Sequence, residues 1–445
     1  AVAGARLAAA RGRRSGGAGP VTVLVPLVLL ALLAAGAALA YVMGAAAVLT
    51  FLATDNARYL AIIPQRIFSQ IDVFALMAMP LFILTGEIMN RSGITTALID
   101  VSMALVGRLK GGLGHVNVMT SVFFAGISGS AVADAAALSN MLVPEMKARG
   151  YSETYAGAIT AASSVIGPII PPSIILIFYG ALTGTSVAGL FVGGILPGLL
   201  LAAALFAMNG TLAHLRNHPG GRAADLPALL PSLLRAAPAM MLPFIIVAGI
   251  VVGWFTPTEA AGIAALFALA ISPLYGGLSR EMIWQGLQRT AMLTGSIFIL
   301  LSAVAALGYV AGLEQVPQGL AALVTEAGLG PLEYFLALNL VLLLAGMVMD
   351  IPVALALLVP LLAPVALAQG VDPLHLGIVV CFNLCIGLIS PPLGGCLLIV
   401  STVTRINYWR LARAILPFLL VEVLVLLLLV LVPEITLFLP RLFGF

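Results

Sequence analysis

The sequence predicts an all-α polytopic membrane protein built from two inverted-topology repeats, each with a re-entrant helical hairpin and a broken transmembrane helix. Three observations predict this fold: the apolar composition, a series of Gly and Pro that recurs at one offset, and breaks inside membrane-length segments. The 445 residues are 62% hydrophobic and only 8% charged, whereas a soluble domain carries about 25% charged residues. Long apolar runs along the whole chain favour helices over a barrel.

The charged residues and cysteines exclude several function classes. The net charge is +3, and the basic residues form short clusters rather than a long basic face, so nucleic acid is not an expected partner. Cys381, Cys385 and Cys396 stand in apolar surroundings without a neighbouring His or carboxylate in the sequence. We therefore expect them to be small buried side chains, not metal ligands.

The internal repeat is a run of matched glycines and prolines. Gly387 follows Gly167 by 220 residues, and Ala345-Gly346 follows Ala125-Gly126 by the same interval. Further pairs share this offset without a gap: Pro144 and Pro364, Gly150 and Gly370, Gly157 and Gly377, Pro171 and Pro391, Pro172 and Pro392, and Pro197 and Pro417. Internal repeats of this kind are typical of secondary transporters.

The offset divides the chain into predicted regions. These are a basic N-terminal tail or linker remnant, 1–20; a first repeat, 21–213, with hairpin 115–146 and broken helix 152–182; a cytoplasmic connector, 214–237; a second repeat, 238–433, with hairpin 335–366 and broken helix 372–402; and a C-terminal tail, 434–445. A re-entrant hairpin does not cross the bilayer, so each repeat is expected to cross five times. An odd number of crossings inverts the second repeat relative to the first.

The flanking charges support this inversion, because Lys and Arg favour the cytoplasmic side. Basic residues flank the first hairpin: Arg108, Lys110, Lys147 and Arg149. Acidic residues flank the second: Glu326, Glu333 and Asp372. The Arg-rich tail disagrees, since the scheme places residue 20 outside. A cleaved signal peptide over 1–40 is the alternative, but it would remove the partner of 241–254, so we expect retention.

Four non-helical elements carry the predicted chemistry. We call Gly126–Ser130 and Gly346–Asp350 tip 1 and tip 2, and Gly167–Ser173 and Gly387–Gly394 break 1 and break 2. Irregular backbone is tolerated at membrane depth only inside protein or beside a water-filled cavity. Freed carbonyls can coordinate Na⁺, and helix N-termini suit an anion. The alternative is that Gly and Pro merely permit tight packing.

Side chains at these elements complete the predicted substrate and ion site. Its residues are Gly126, Ser128, Gly129, Ser130, Asp134, Gly167, Pro171, Pro172, Ser173, Gly346, Asp350, Asn383, Gly387, Ser390, Pro391, Pro392 and Gly394. The predicted Na⁺ ligands among them are Ser128, Ser130, Gly167, Gly346, Gly387 and Ser390. Asp134 and Asp350 could bind a cation or carry a proton, since intramembrane carboxylates are rare and usually functional. Asp350 could instead cap the helix that begins at Ile351-Pro352.

Catalysis is not expected. Gly126-Ile127-Ser128-Gly129 matches the G-x-S-G pattern of intramembrane serine proteases, but that chemistry needs a base. The histidines lie near predicted segment ends: His115, His214, His218 and His375. A Walker-type phosphate loop is also missing from the sequence, so ATP is not the expected energy source.

Long stretches of the chain resemble the large membrane (M, DctM-type) subunit of tripartite ATP-independent periplasmic (TRAP) transporters. They are MPLFILTGEIMNRSGI at 79–94, GISGSAVADAAALSNMLVPEMKARGY at 126–151, IGPIIPPSIILIFYGALTGTS at 166–186, LFVGGILPG at 190–198 and IGLISPPLGG at 386–395. Two features depart from the family pattern. Asp134 stands where the family often has Thr, and the usual Gly-x-Pro is missing from 36–40.

The resemblance implies an elevator-type ion-transporter architecture in the bacterial inner membrane. It further implies Na⁺-driven import of carboxylates and related organic acids such as dicarboxylates or sialic acid. The implied partners are a periplasmic substrate-binding protein, which would do most of the selection, and a small four-helix membrane subunit (Q/DctQ-type), separate or fused. The alternatives are a stand-alone dicarboxylate symporter driven by Na⁺ or H⁺, and, more remotely, a channel.

Overall fold

The computed structural model describes residues 35–53, 57–220 and 226–445, together with Val28, Ala31 and Leu32. Every regular element within these ranges is a helix, apart from one isolated bridge between Lys110 and Gly220. The all-α prediction is therefore confirmed. The predicted tail 1–20 lies outside the described residues, as do most of the apolar run 21–34 and residues 221–225 of the connector.

The described helices of the first half precede the connector. They are α1 Leu39–Ala53, α2 Ile63–Ile71, α3 Ala78–Arg91, α4 Ile94–Val106, α5 Gly112–Ser128, α6 Ala131–Ala148, α7 Glu153–Ser164, α8 Ile174–Thr183 and α9 Val187–Leu215, with 3₁₀ helices Ala57–Ile62 and Phe74–Met77.

The second half repeats this order after the connector. Its described helices are α10 Leu229–Val251, α11 Pro257–Ile271, α12 Arg280–Leu313, α13 Val316–Glu326, α14 Pro331–Gly346, α15 Ile351–Ala368, α16 Pro373–Gly387, α17 Gly395–Thr404, α18 Tyr408–Leu431 and α19 Glu434–Leu442, with the 3₁₀ helix Ser272–Tyr275. Six helices of the described chain are long and apolar enough to cross a membrane, or seven if 57–71 and 74–91 form one bent span.

The chain forms two compact units. One contains the described residues up to Asp72 together with Ile297–Pro317. Its core is an aromatic cluster in which the ring centroids of Phe51, Tyr59 and Tyr309 lie 6.0–6.3 Å apart. The guanidinium of Arg66 lies 4.6 Å from the Tyr309 ring centroid, which adds a cation–π contact.

The other unit, Val73–Ser296 with Gln318–Phe445, contains both hairpins and both broken helices. Hairpin 1 is α5 and α6, and hairpin 2 is α14 and α15. Broken helix 1 is α7 and α8, and broken helix 2 is α16 and α17. Helix α15 begins 220 residues after α6 and, like α6, has 18 residues. The predicted hairpins and broken helices are therefore present at the predicted offset.

Side-chain caps explain where several of these helices begin. Ser152 accepts a hydrogen bond from the Tyr155 amide at 3.2 Å, and Asp372, its counterpart 220 residues on, accepts one from Leu374 at 2.8 Å. The Thr256 hydroxyl and the Glu259 carboxylate form a capping box at the start of α11. These contacts satisfy backbone N–H groups that would be costly to leave unpaired in an apolar environment.

The two repeats pack crosswise in this unit. Helix α17 of broken helix 2 packs against α6 of hairpin 1, and α8 of broken helix 1 packs against α15 of hairpin 2. Each broken helix also contacts its own hairpin, through α7 with α6 and α16 with α14. This arrangement brings both tips and both breaks into one region of the molecule.

Candidate functional site

Tip 1 meets break 1 through close backbone contact. Gly129 adopts the left-handed conformation, with φ of +58°. A Cβ at this position would lie 2.6 Å from the carbonyl oxygen of Pro172. Only glycine fits, because any side chain would have to displace backbone as well as adopt an unfavourable φ. The sequence motif GISGS therefore forms a tip that rests directly on the Pro pair.

Asp134 places a carboxylate at this contact. It lies in the first turn of α6 and is fully buried. The Ser128 hydroxyl donates a hydrogen bond to its Oδ1, and Oδ2 has no hydrogen-bond partner among the described residues. A Cβ built on Gly167 would collide with Oδ2. The unpartnered oxygen therefore points at the backbone of break 1.

Tip 2 meets break 2 almost entirely through backbone. A Cβ on Gly387 would lie 2.5 Å from backbone atoms of Gly346. The Gly394 amide donates a hydrogen bond of 3.4 Å to the Met347 carbonyl. Asp350 occupies the N-cap position of α15, but its side chain makes no capping hydrogen bond. The capping role considered for Asp350 therefore lacks the side-chain contact that defines it.

A buried polar contact joins each hairpin to its broken helix. In the first repeat, the Asn117 amide donates to the Thr160 hydroxyl at 2.6 Å, and the Ser163 hydroxyl donates to Asn117 Oδ1 at 3.1 Å. In the second, the Asn383 amide donates to the Asn339 carbonyl and to Asn339 Oδ1, both at 2.8 Å. Ser163 and Asn383 occupy equivalent repeat positions.

The structure assigns local hydrogen bonds to three of the predicted serines. Ser130 and Ser173 are N-caps of α6 and α8, and the Ser173 hydroxyl also donates to the Pro168 carbonyl. The Ser390 hydroxyl donates to the Ile386 carbonyl at 2.8 Å. Whether these hydroxyls also contact a ligand stays a prediction.

The remaining predicted residues lie at the two tip–break contacts, except Gly126. Pro171-Pro172 and Pro391-Pro392 lie in the breaks, and both of these peptide bonds are cis. Gly126 instead packs against the Pro243 side chain of α10. Its small size serves helix packing, while Gly129 makes the contact with the break.

The sequence reasoning missed Asn117, Asn339 and, most clearly, Glu422. Glu422 lies within the 24-residue helix α18 and is fully buried. A carboxylate inside so apolar a helix is itself an indication of function. The three cysteines are buried and free, as predicted. Within the described ranges, His, Cys, Asp and Glu form no group of three or more that could hold a metal ion.

Comparison with known proteins identifies the family. The family described as "Tripartite ATP-independent periplasmic transporter, DctM component" matches residues 27–435. The chain belongs to this family. It is 39% identical over 396 residues to the sialic acid TRAP transporter large permease protein SiaM of Vibrio cholerae, which covers 89% of this chain and 93% of that protein.

A second relative agrees with this assignment, and a solved structure shares the fold. The chain is 35% identical over 405 residues to the C4-dicarboxylate TRAP transporter large permease protein DctM of Pseudomonas aeruginosa, covering 90% of this chain and 93% of that protein. The Alcanivorax borkumensis YdaH transporter, described as having an unusual topology, matches with a TM-score of 0.64 and 16% identity over 85% of this chain and 89% of that one. The structural likeness shows the fold alone.

Family membership confirms several expectations. The TRAP permease is a multi-pass protein of the inner membrane with a role in transport, and it is not an enzyme. In the G-x-S-G motif, the Ser128 hydroxyl donates to the Asp134 carboxylate and accepts from the Ser130 amide, so its described partners do not include a histidine.

Proposed function

We propose that this TRAP permease imports an organic acid, is driven by Na⁺ and moves its substrate by an elevator mechanism. The observation that carries the proposal is Asp134 Oδ2, which is buried without a hydrogen-bond partner and points at break 1. Such an oxygen beside irregular backbone suits a small cation, and helix breaks are where secondary transporters bind Na⁺.

Two Na⁺ positions follow from the two tip–break pairs. The first would use Ser128, Ser130 and the backbone at Gly167, with Asp134 supplying negative charge. The second would use the backbone at Gly346 and Gly387 with Ser390. Oxygen ligands at both positions fit a hard cation, and we expect the first to bind more tightly because it contains a buried carboxylate.

The substrate class is a carboxylate. Helices α8 and α17 begin at the two breaks, and the positive N-terminal ends of helices attract anions. Relatives named for sialic acid and for C4-dicarboxylates support the organic-acid class. The family description, a component of a tripartite system, supports two partners: a small four-helix (Q/DctQ-type) subunit and a periplasmic substrate-binding protein.

Reconstitution in liposomes tests this function. The permease, its small subunit and its binding protein are assembled, and uptake of radiolabelled sialic acid and C4-dicarboxylates is measured under an inward Na⁺ gradient. We expect accumulation that requires both Na⁺ and the binding protein. Uptake that ignores Na⁺ and follows a proton gradient would refute Na⁺ coupling, and uptake without the binding protein would favour a stand-alone symporter.

The elevator mechanism has a separate test. Val348 at tip 2 is exposed, so Val348→Cys offers a thiol for membrane-impermeant maleimides. We expect this thiol to be labelled from either side of the membrane, depending on substrate and Na⁺. A thiol that stays accessible from one side only, in every condition that supports uptake, would contradict an elevator movement.

A further inference from the structure

Glu422 is a buried acid that the proposed Na⁺ sites do not use. It is fully buried in α18, and neither carboxylate oxygen has a hydrogen-bond partner among the described residues. The equivalent residue of the first repeat is Ala202, so the acid has no counterpart there. The fold of the repeat therefore does not require an acid at this position.

The titratable groups near Glu422 on α16 and α17 are thiols. Helix α18 packs against α7, α9, α16 and α17. From α16 and α17, the thiols of Cys385 and Cys396 lie within electrostatic reach of Glu422. Asp134 and Asp350 lie within electrostatic reach of the same Cys396 thiol. Cys396 is thus a shared neighbour of Glu422 and of the acids at both tips.

Among the described residues, no Lys, Arg or His side chain forms an ion pair with Glu422. Helix α9 carries His214 in its last turn and is followed by Arg216, whose guanidinium lies 5.9 Å from the Tyr155 ring centroid, and α7 carries Glu153 and Tyr155 in its first turn. Helix α16 carries His375 in its first turn, and α17 is followed by Arg405. The Tyr155 ring lies 6.1 Å from the ring of Phe418, one turn before Glu422. On α18 itself, Tyr408, Arg410 and Arg413 lie near the start, with Arg413 nine residues before Glu422, or roughly 13 Å along the axis.

An ionised carboxylate without a partner is costly in an apolar interior, so the group binds a proton or acquires a nearby cation. No side-chain cation of the described chain pairs with Glu422, which leaves the proton. A Na⁺ ion entering at Asp134 would favour the ionised form of neighbouring acids by attraction between opposite charges.

We propose that Glu422 is a proton-binding residue linked to the cation sites. It holds a proton when the tip–break sites are empty, and it releases that proton to water when a cation occupies them. The bound proton is inferred from the burial of Glu422 and its missing partners, without reference to Na⁺. The linkage to the cation sites rests on the proposed function.

Infrared spectroscopy of the lipid-reconstituted permease at neutral pH, without Na⁺, tests the proton. We expect a carbonyl band of a protonated carboxyl group that Glu422→Gln loses and that Glu422→Asp restores. Glu434→Gln, which removes an exposed carboxylate three residues after α18, is the matched control and keeps the band. Asp134→Asn, measured in parallel, identifies any part of the band that comes from Asp134. A band that is unchanged in Glu422→Gln would overturn the proposal.

Proton release on adding Na⁺ tests the linkage. A pH indicator in weak buffer should report acidification when NaCl is added to the wild-type permease, but not when choline chloride is added. Glu422→Gln should lose part or all of this release, and Glu434→Gln should keep it. Equal release from Glu422→Gln would overturn the linkage. Sodium-independent uptake in liposomes would overturn the proposed function and leave the infrared result standing.

Discussion

The two tip–break pairs share a backbone plan and differ in the side chains that fill it. In pair 1, the fully buried Asp134 reaches from hairpin 1 to break 1, and Ala354 stands at the equivalent position of hairpin 2. Both pairs bring backbone against backbone, through Gly129 and Pro172 in pair 1 and through Gly346 and Gly387 in pair 2, but only pair 1 adds this carboxylate at the contact. The burial also differs, since α14 exposes Leu340 and Leu344 by more than half, while α5 exposes none of its residues to this extent.

The comparison shows that the two repeats share the positions of their helices more closely than they share the side chains available to bind a ligand. Helices α6 and α15 begin at equivalent residues because each tip must end one helix and start another. A cation at pair 1 would interact with a formal charge, and one at pair 2 mainly with carbonyl dipoles. We therefore expect pair 1 to be sensitive to side-chain changes and pair 2 to backbone displacement.

The largest expected effect on uptake comes from Gly387→Ala, which disrupts the backbone contact of pair 2. The new methyl group would lie 2.5 Å from Gly346 backbone atoms, so the tip must separate from the break. We expect uptake in liposomes to be abolished while membrane insertion persists. Gly395→Ala is the matched control, since its Cβ would lie 3.4 Å from a Leu388 side-chain carbon. Normal uptake by Gly387→Ala would show that this contact is dispensable.

The next largest effect is expected from Asp134→Asn, which removes charge from pair 1 at nearly constant volume. We expect the Na⁺ concentration for half-maximal uptake to rise by about tenfold or more, which corresponds to about 1.4 kcal/mol or more of lost binding. Uptake is measured against Na⁺ at saturating substrate. The comparison variant is Asp350→Asn, which we expect to shift the Na⁺ dependence less. An unchanged Na⁺ dependence in Asp134→Asn would place the cation elsewhere.

The sequence alone predicted the helices, hairpins and breaks, because Gly and Pro act on the backbone locally. It predicted Asp134 as a functional candidate but not its contact with Gly167, since that contact depends on how two helices meet. The partners Asn117 and Asn339 were missed because an isolated Asn has no periodic pattern. Helices α4 and α13 occupy equivalent positions, yet α4 is buried on one face and α13 has no buried residue, which local sequence did not distinguish.

A third prediction compares the polar contacts that join hairpins to broken helices. Asn383→Ala leaves the side-chain oxygen of Asn339 without its donor, and a buried unsatisfied group costs about 1–3 kcal/mol. Ser163→Ala also leaves one oxygen, Asn117 Oδ1, without its donor, but it should cost less because it removes one hydrogen bond to the hairpin where Asn383→Ala removes two. Thermal unfolding in detergent should therefore show a larger decrease in melting temperature for Asn383→Ala. Equal decreases would mean that the two contacts are energetically equivalent.

The smallest effect is expected from Ser173→Ala, at the start of α8. Its hydroxyl accepts from the Leu176 amide at 3.3 Å and donates to the Pro168 carbonyl, so both of its described hydrogen bonds are to backbone. Loss of an N-cap costs about 1 kcal/mol of stability. We expect a modestly lower melting temperature and an unchanged Na⁺ dependence of uptake, with Ser173→Thr as the control that retains a hydroxyl. A Na⁺ requirement that rises several-fold in Ser173→Ala and returns in Ser173→Thr would instead make this hydroxyl a cation ligand. In that case the ion of pair 1 would have ligands at both ends of break 1, from Asp134 beside Gly167 and from Ser173.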